Sequence, residues 1–226
     1  EAAEGKRGFN NFTKGTMLSS ALDAQAVVGY ALTAKIAAKA PPEDPPEVIK
    51  QRRMAYYKYI ANAHKPAVVV IEDCDYPNCV GAFWGEINTT VHKGLGVSGA
   101  VTNGVMRDLG DVPKDFPVIA GSIGPSHAFV HVKEIGTPVE VMGLSVTEGD
   151  LIHADRHGAL ALVGSGTAGL SAASDRALLP PAGLTLRSAV GPVAGDALPN
   201  PPLCPTALPT ISSFRLRIIL IILLSL

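Results

Sequence analysis

Residues 85–108 read GEINTTVHKGLGVSGAVTNGVMRD, and three signals follow one another within them. Gly85-Glu86 opens a short run that predicts a helix from Gly85 to Lys93. Gly94-Leu-Gly96-Val-Ser-Gly99 then matches the glycine pattern of dinucleotide sites. That pattern needs a strand before the glycines and a helix after them, because the pyrophosphate sits on the helix N-terminus. Here the order is reversed. The glycines are read as ending the helix and opening a strand, Gly99–Thr102. Asn103-Gly-Val-Met-Arg107-Asp108 follows that strand.

The same alternation extends outward in both directions. Toward the N-terminus, Ala67–Ile71 is a continuous apolar run, the mark of a strand buried on both faces. Glu47–Ala63 carries apolar residues at helical spacing, Pro-rich Ala40–Pro46 is a loop, and Ala26–Ile36 reads as a strand. Toward the C-terminus, Pro117–Ala120, Val139–Met142 and Gly158–Val163 are further strands. Strands alternating with short helices predict a layered α/β domain.

Composition sets bounds on function. The 226 residues carry 19 basic and 20 acidic side chains, a formal charge of −1, which excludes a strongly basic nucleic-acid binder. An apolar fraction of 47% against 17% charged allows a sizeable core. Cys74 and Cys79 are followed only by Cys204, so neither a zinc site nor a disulfide framework is expected, and the compartment is read as reducing and cytoplasmic. From Gly164 onward the composition changes: no Lys, Tyr, Trp or His occurs, and the only acids are Asp175 and Asp196. Residues 1–163 are therefore expected to form the α/β domain, and 164–226 an irregular Pro/Ala/Leu-rich tail, disordered or foreign to it. Its terminal run, Ile218–Leu226, is shorter than the roughly 20 residues of a membrane span, and no membrane association is expected. Gly164-Ser-Gly166-Thr-Ala-Gly169 lacks the acid that a nucleotide site places about 20 residues on.

Chemistry-bearing residues are few. His127-Ala-Phe-Val-His131 alternates like a strand, which would hold the two rings about 13 Å apart, too far for one metal. His153 and His157 read as a turn after a strand. For all four, mutual hydrogen bonding or a subunit contact is expected, with a His-ligated metal as the lesser alternative. The other group is Gly85-Glu86-Ile87-Asn88 with Arg107-Asp108. A helix start offers unpaired N–H groups to a carboxylate, Arg forks onto a carboxylate, and Asp holds a hard cation. On spacing alone, a helix cap and a surface ion pair explain these residues better.

The ordered set of segments resembles the RraA-like family. The residues that carry the resemblance are Val28-Gly29-Tyr-Ala-Leu-Thr33, Gly85-Glu86, Gly94 to Gly99, Ala100 to Gly104, Arg107-Asp108, Phe116 to Ala120, Pro138-Val139, Gly149 to Asp155 and Gly158. The family includes 4-hydroxy-4-methyl-2-oxoglutarate/oxaloacetate aldolases and the regulator of ribonuclease E activity. The resemblance implies a layered swivelling β/β/α domain. It implies that Gly85, Glu86, Ile87 and Asn88 bind the pyruvyl part of a small 2-oxo acid together with Arg107. Arg107 and Asp108 would be the catalytic pair. Asp108 would hold Mg²⁺, or another divalent cation such as Mn²⁺, and cleavage or decarboxylation would pass through a metal-stabilised pyruvate enolate. A homotrimer or hexamer without nucleic acid is implied, and the alternative is a non-catalytic regulator that binds a ribonuclease. The chain departs from the pattern at Asn103, where many members carry Asp, at Gly110, where aldolases carry an acid, and after Val163, where the closing helices are missing.

Overall fold

The computed structural model describes residues 11–21, 23 and 26–162. The tail beginning at Gly164 and its glycine motif lie outside the described residues, as does Cys204. In chain order the elements are β1 (Leu18–Ser19), β2 (Val27–Ala37), α1 (Pro46–Asn62), β3 (Ala67–Asp73), β4 (Ala82–Trp84), α2 (Glu86–Gly94), β5 (Gly99–Met106), β6 (Val118–Ile123), β7 (His131–Ile135), β8 (Val139–Val141), β9 (Leu144–Val146), β10 (Leu151–Asp155) and β11 (Gly158–Leu162).

The main sheet runs β1-β6-β5-β3-β2-β10-β11, with β4 added beside β5 and β7 beside β2. Its centre, β2-β3-β5-β6, is parallel. Every residue of β5 is buried, and so is every residue of β3 but Glu72, as their apolar sequences require for strands covered on both faces. One face packs α1, through Tyr56 and Ile60, together with Trp84 of β4 and Phe116 of the β5–β6 connection, against Leu32, Ile36 and Ile71. The other face packs the β8–β9 hairpin through Val141 and Leu144 against Val68, Val70 and Val101. Helices, sheet and second sheet make three layers, the β/β/α arrangement.

Local chemistry accounts for the element ends. α1 has Pro46 in its first turn, where the missing N–H matters least, and Glu47 beside it. α2 has Glu86 in its first turn and His92 and Lys93 in its last, matching the helix dipole. Gly96 sits at φ +82°, with its N–H donating to the Lys93 carbonyl, so the glycine run does end the helix and open β5. Met142 (φ +48°) and Gly143 (φ +78°) form the two-residue turn of the β8–β9 hairpin.

Three strand readings change. β5 continues from Thr102 to Met106, so Asn103–Met106 belong to the sheet. The Val139–Met142 strand stops at Val141, where the hairpin turns. The strand expected across His127–Val132 begins only at His131, because Ala128 takes the left-handed conformation (φ +45°) and breaks the alternation.

Candidate active site

β4 and β5 lie parallel and adjacent, with Ala82 opposite Val105 and Trp84 opposite Met106. The Arg107 N–H donates to the Trp84 carbonyl at 2.8 Å, just beyond that pairing. The chain leaving β4 at Gly85 therefore meets the chain leaving β5 at Arg107. Carboxyl ends of parallel strands are where α/β sheets present ligands.

Gly85 is the N-cap of α2 and brings no capping side chain. Asp108 supplies the cap from across the site: its Oδ2 accepts the Glu86 N–H at 3.2 Å. Asp108 itself stands at φ +57°, a conformation that Asp adopts more readily than most residues, and its carbonyl accepts the N–H groups of Asp111 and Val112. Arg107 Nη1 lies 3.4 Å from both carboxylate oxygens of Asp108. A Cβ on Gly85 would stand 2.5 Å from Asp108 Oδ2 and 3.1 Å from Arg107 Nε. Glycine at this position is what lets both side chains lie over the helix start. Arg107 Nε is buried with no hydrogen-bond partner. An orphaned donor on a guanidinium, beside the unpaired N–H groups of a helix first turn, is the electrostatic outline of a carboxylate site.

Asp108 is the carboxylate at this point, and among the described residues no three His, Cys, Asp or Glu side chains gather as a metal cage. The Asp108 side chain is 30% exposed and holds its cationic neighbour only loosely. That donor set fits a hard divalent cation that keeps most of its waters and shares one protein carboxylate with its substrate.

A family model described as RraA-like, Aldolase/RraA, matches residues 5–161. The chain belongs to the RraA-like family. This family includes both aldolase or decarboxylase enzymes and inhibitors of RNase E. Similar solved structures include a protein from gut-associated microbes described as a novel cellulase (TM-score 0.57, 19% identity, 68% of this chain and 66% of that one). The chain thus spans about two thirds of that protein's length. A Streptomyces coelicolor protein described as an unusual member of the RNase ES inhibitor RraA family aligns with TM-score 0.53 and 20% identity over 74% of this chain and 79% of that one. RraA of Thermus thermophilis, described as an RNA-processing inhibitor, aligns with TM-score 0.51 and 18% identity over 69% and 88%. At these identities the likeness shows the fold alone. No curated protein matches the chain in sequence.

In this RraA-like domain the first turn of α2 is held by a network that sequence reasoning missed. Asn88 Nδ2 donates to the Phe83 carbonyl at 2.6 Å, and Asn88 Oδ1 accepts the Tyr57 hydroxyl at 2.9 Å. The Asn88 carbonyl accepts His92 Nδ1–H at 2.6 Å. That bond fixes the tautomer, so His92 Nε2 accepts the Tyr56 hydroxyl at 2.7 Å. The His92 ring is fully buried among Trp84, Phe83 and Phe116. The Asn88 side chain and carbonyl are thus both engaged within the domain. A lone histidine inside a short helix gave no hint of the role. Its partner Tyr56 is distant in sequence.

Burial lowers His92 from its ordinary 6.5 to about 4, against the opposing pull of the Asn88 carbonyl. Between those two values the unfolded chain gains a proton at this ring and the folded chain does not. The stability contributed by neutral His92 is therefore complete above pH 6.5 and is lost as pH falls toward 4, by about 3 kcal/mol at most. Urea midpoints measured from pH 7 to 4 should fall more steeply for the wild type than for His92→Gln. Parallel slopes would show that this ring is not the titrating group.

Asn103, where the family often has an acid, is 5% exposed. Its Oδ1 accepts the Asp73 N–H at 2.7 Å and its Nδ2 donates to the Asp73 carbonyl at 3.3 Å. These bonds continue the β3–β5 pairing beyond its last rung, Ile71 opposite Thr102. A carboxylate could make only the first bond and would stand near the Asp73 carboxyl, which burial already raises. Asn103 here serves the sheet. At Gly110 nothing lies within 4 Å of the point where a Cβ would stand, so no side chain is required there for packing.

Of the two roles expected for His127, His131, His153 and His157, mutual hydrogen bonding does not occur among the described residues. His127 and His131 each donate Nδ1–H to a backbone carbonyl, of Ala128 at 2.7 Å and of Phe129 at 2.8 Å. His153 lies on β10, and His157 in the following turn pairs with Asp155 at 3.5 Å. Among the described residues no helix is long and apolar enough to cross a membrane.

Proposed function

We propose that this RraA-like domain is a divalent-metal-dependent lyase that cleaves or decarboxylates small 2-oxo acids. The observation that carries the reading is Arg107, whose buried Nε lacks a partner beside the glycine-capped start of α2. Its fork binds the substrate carboxylate, and the first-turn N–H groups of Ile87 and Asn88 add two further donors. Asp108 would hold the cation, which supplies Lewis acidity at the 2-oxo group when bound. The positive field of Arg107 and of the helix start also favours the negative charge that builds on the substrate as its C–C bond breaks. Asp108 orients both by accepting from Glu86 and Arg107. RraA-like proteins are typically oligomeric, and a cytoplasmic homotrimer or hexamer is the assembly proposed.

Pyruvate release from oxaloacetate and from 4-hydroxy-4-methyl-2-oxoglutarate, with and without Mg²⁺ or Mn²⁺, tests the reading. Cation-stimulated release supports it. No release from either substrate with either cation overturns it in favour of the non-catalytic, protein-binding members of the family. Gly85→Ala is expected to lower turnover by about tenfold or more, because the new Cβ displaces both Arg107 and Asp108. Helicity should persist, since residue 85 is the N-cap and its extended backbone (φ −151°) is one that Ala adopts without strain. Full turnover in that variant would mean the two side chains need not lie over the helix start.

A further inference from the structure

Between α1 and the chain entering β7 lies a cavity of about 150 Å³ that none of Gly85, Arg107 or Asp108 lines. Its walls are the rings of Tyr56, Tyr57 and Phe83 with Val130, and its polar rim is Arg53, Asn88 and His131. The polar ends of the wall residues are already satisfied: Tyr56 bonds His92 and Tyr57 bonds Asn88. What the walls offer a ligand is therefore aromatic surface. The rim is cationic, and no Asp or Glu lines the cavity. Arg52, one residue away on α1, is pinned to Asp44 at 2.9 Å and donates to the Val132 carbonyl. Arg53 has neither an ion pair nor a hydrogen bond among the described residues. His131 uses Nδ1–H on the Phe129 carbonyl, which leaves Nε2. The volume is about half the lower end of the usual range for ligand pockets, room for a single ring.

We propose that this cavity binds a small carboxylic acid with a flat apolar body of the size of benzoate. Its ring would lie against Tyr57 and Phe83, with the fully buried Tyr56 behind them, and its carboxylate at Arg53. An unpaired guanidinium on the rim of an aromatic-walled cavity combines the two recognition elements such a molecule needs. Asn88 and Phe83 belong both to this cavity and to the network that holds the first turn of α2. Occupancy should therefore also change KM for the 2-oxo acid, a consequence that rests on the lyase reading. Binding itself does not.

The test is calorimetric titration of the full chain with sodium benzoate, with acetate and benzamide as the other arms. Benzoate should bind one to one with Kd on the order of 1 mM, as its size allows. Arg53→Ala should weaken it about tenfold or more, and this exposed, unpartnered position leaves folding unaffected, as a thermal melt checks. Arg107→Ala should bind benzoate as the wild type does, which separates this cavity from the candidate active site. The proposal is overturned if benzoate shows no saturable binding, or if Arg53→Ala binds it unchanged. It is equally overturned if Arg107→Ala abolishes binding. Benzamide binding as well as benzoate would remove the carboxylate from the argument, and acetate doing so would remove the ring; either result overturns the proposal as stated.

Discussion

Arg107→Ala is expected to lower kcat/KM for oxaloacetate by about three orders of magnitude while leaving the fold in place. The side chain packs over Gly85 with its Nε unpartnered, and its nearest polar neighbour, Asp108, is a loose 3.4 Å away. Removing it leaves no buried acid stranded, because Asp108 keeps the Glu86 N–H and its own exposure. The strand contact to β4 also survives, since the backbone N–H of residue 107 makes it. What disappears is the fork that orients the substrate carboxylate and much of the positive field at the reacting group. Arg107→Lys should restore little, because an ammonium is a point charge without the fork. Steady-state pyruvate release checks both variants, with a melting curve as control. Wild-type turnover in Arg107→Ala would remove the residue from the site.

Asp108→Asn should abolish metal stimulation with almost no loss of stability. The position sits at φ +57°, which Asn tolerates at least as well as Asp. An amide oxygen can still accept the Glu86 N–H, so the cap on α2 remains. Only the charge is lost, and a neutral amide is a poor ligand for a hard divalent cation. The expected result is activity that stays at the metal-free level at Mg²⁺ concentrations that saturate the wild type. Asp108→Ala adds a second defect, loss of the cap, at about 1 kcal/mol. Comparing the two variants separates the charge from the cap. If Asp108→Asn shows the wild-type Mg²⁺ dependence, the cation is held elsewhere.

Much of the scaffold was legible from local pattern. The helical run Gly85–Lys93, the reversed order around the glycines and the all-apolar Ala67–Ile71 each correspond to an observed element. The failures have local causes too. Asn103 and Gly104 have low strand propensity, yet they continue β5 because the Asn103 amide bonds the Asp73 backbone. β4 is three residues long, too short to show any periodicity. His127–His131 alternates in sequence, but a single left-handed residue, Ala128, turns the chain.

By itself the sequence determined what depends on neighbours along the chain: which runs bury both faces, where helix α2 starts and stops, and that Gly85–Asn88 and Arg107–Asp108 are residue types suited to an anion and a hard cation. It could not distinguish a helix cap plus a surface pair from one site. What brings the two stretches together is the parallel pairing of β4 with β5, which sets Trp84 against Met106 and so lays Arg107 and Asp108 over Gly85. The buried relay from Tyr56 through His92 to Asn88 has the same origin. Periodicity follows from the geometry of one segment. A site is built from contacts between segments, whose partners are chosen by packing of the whole core.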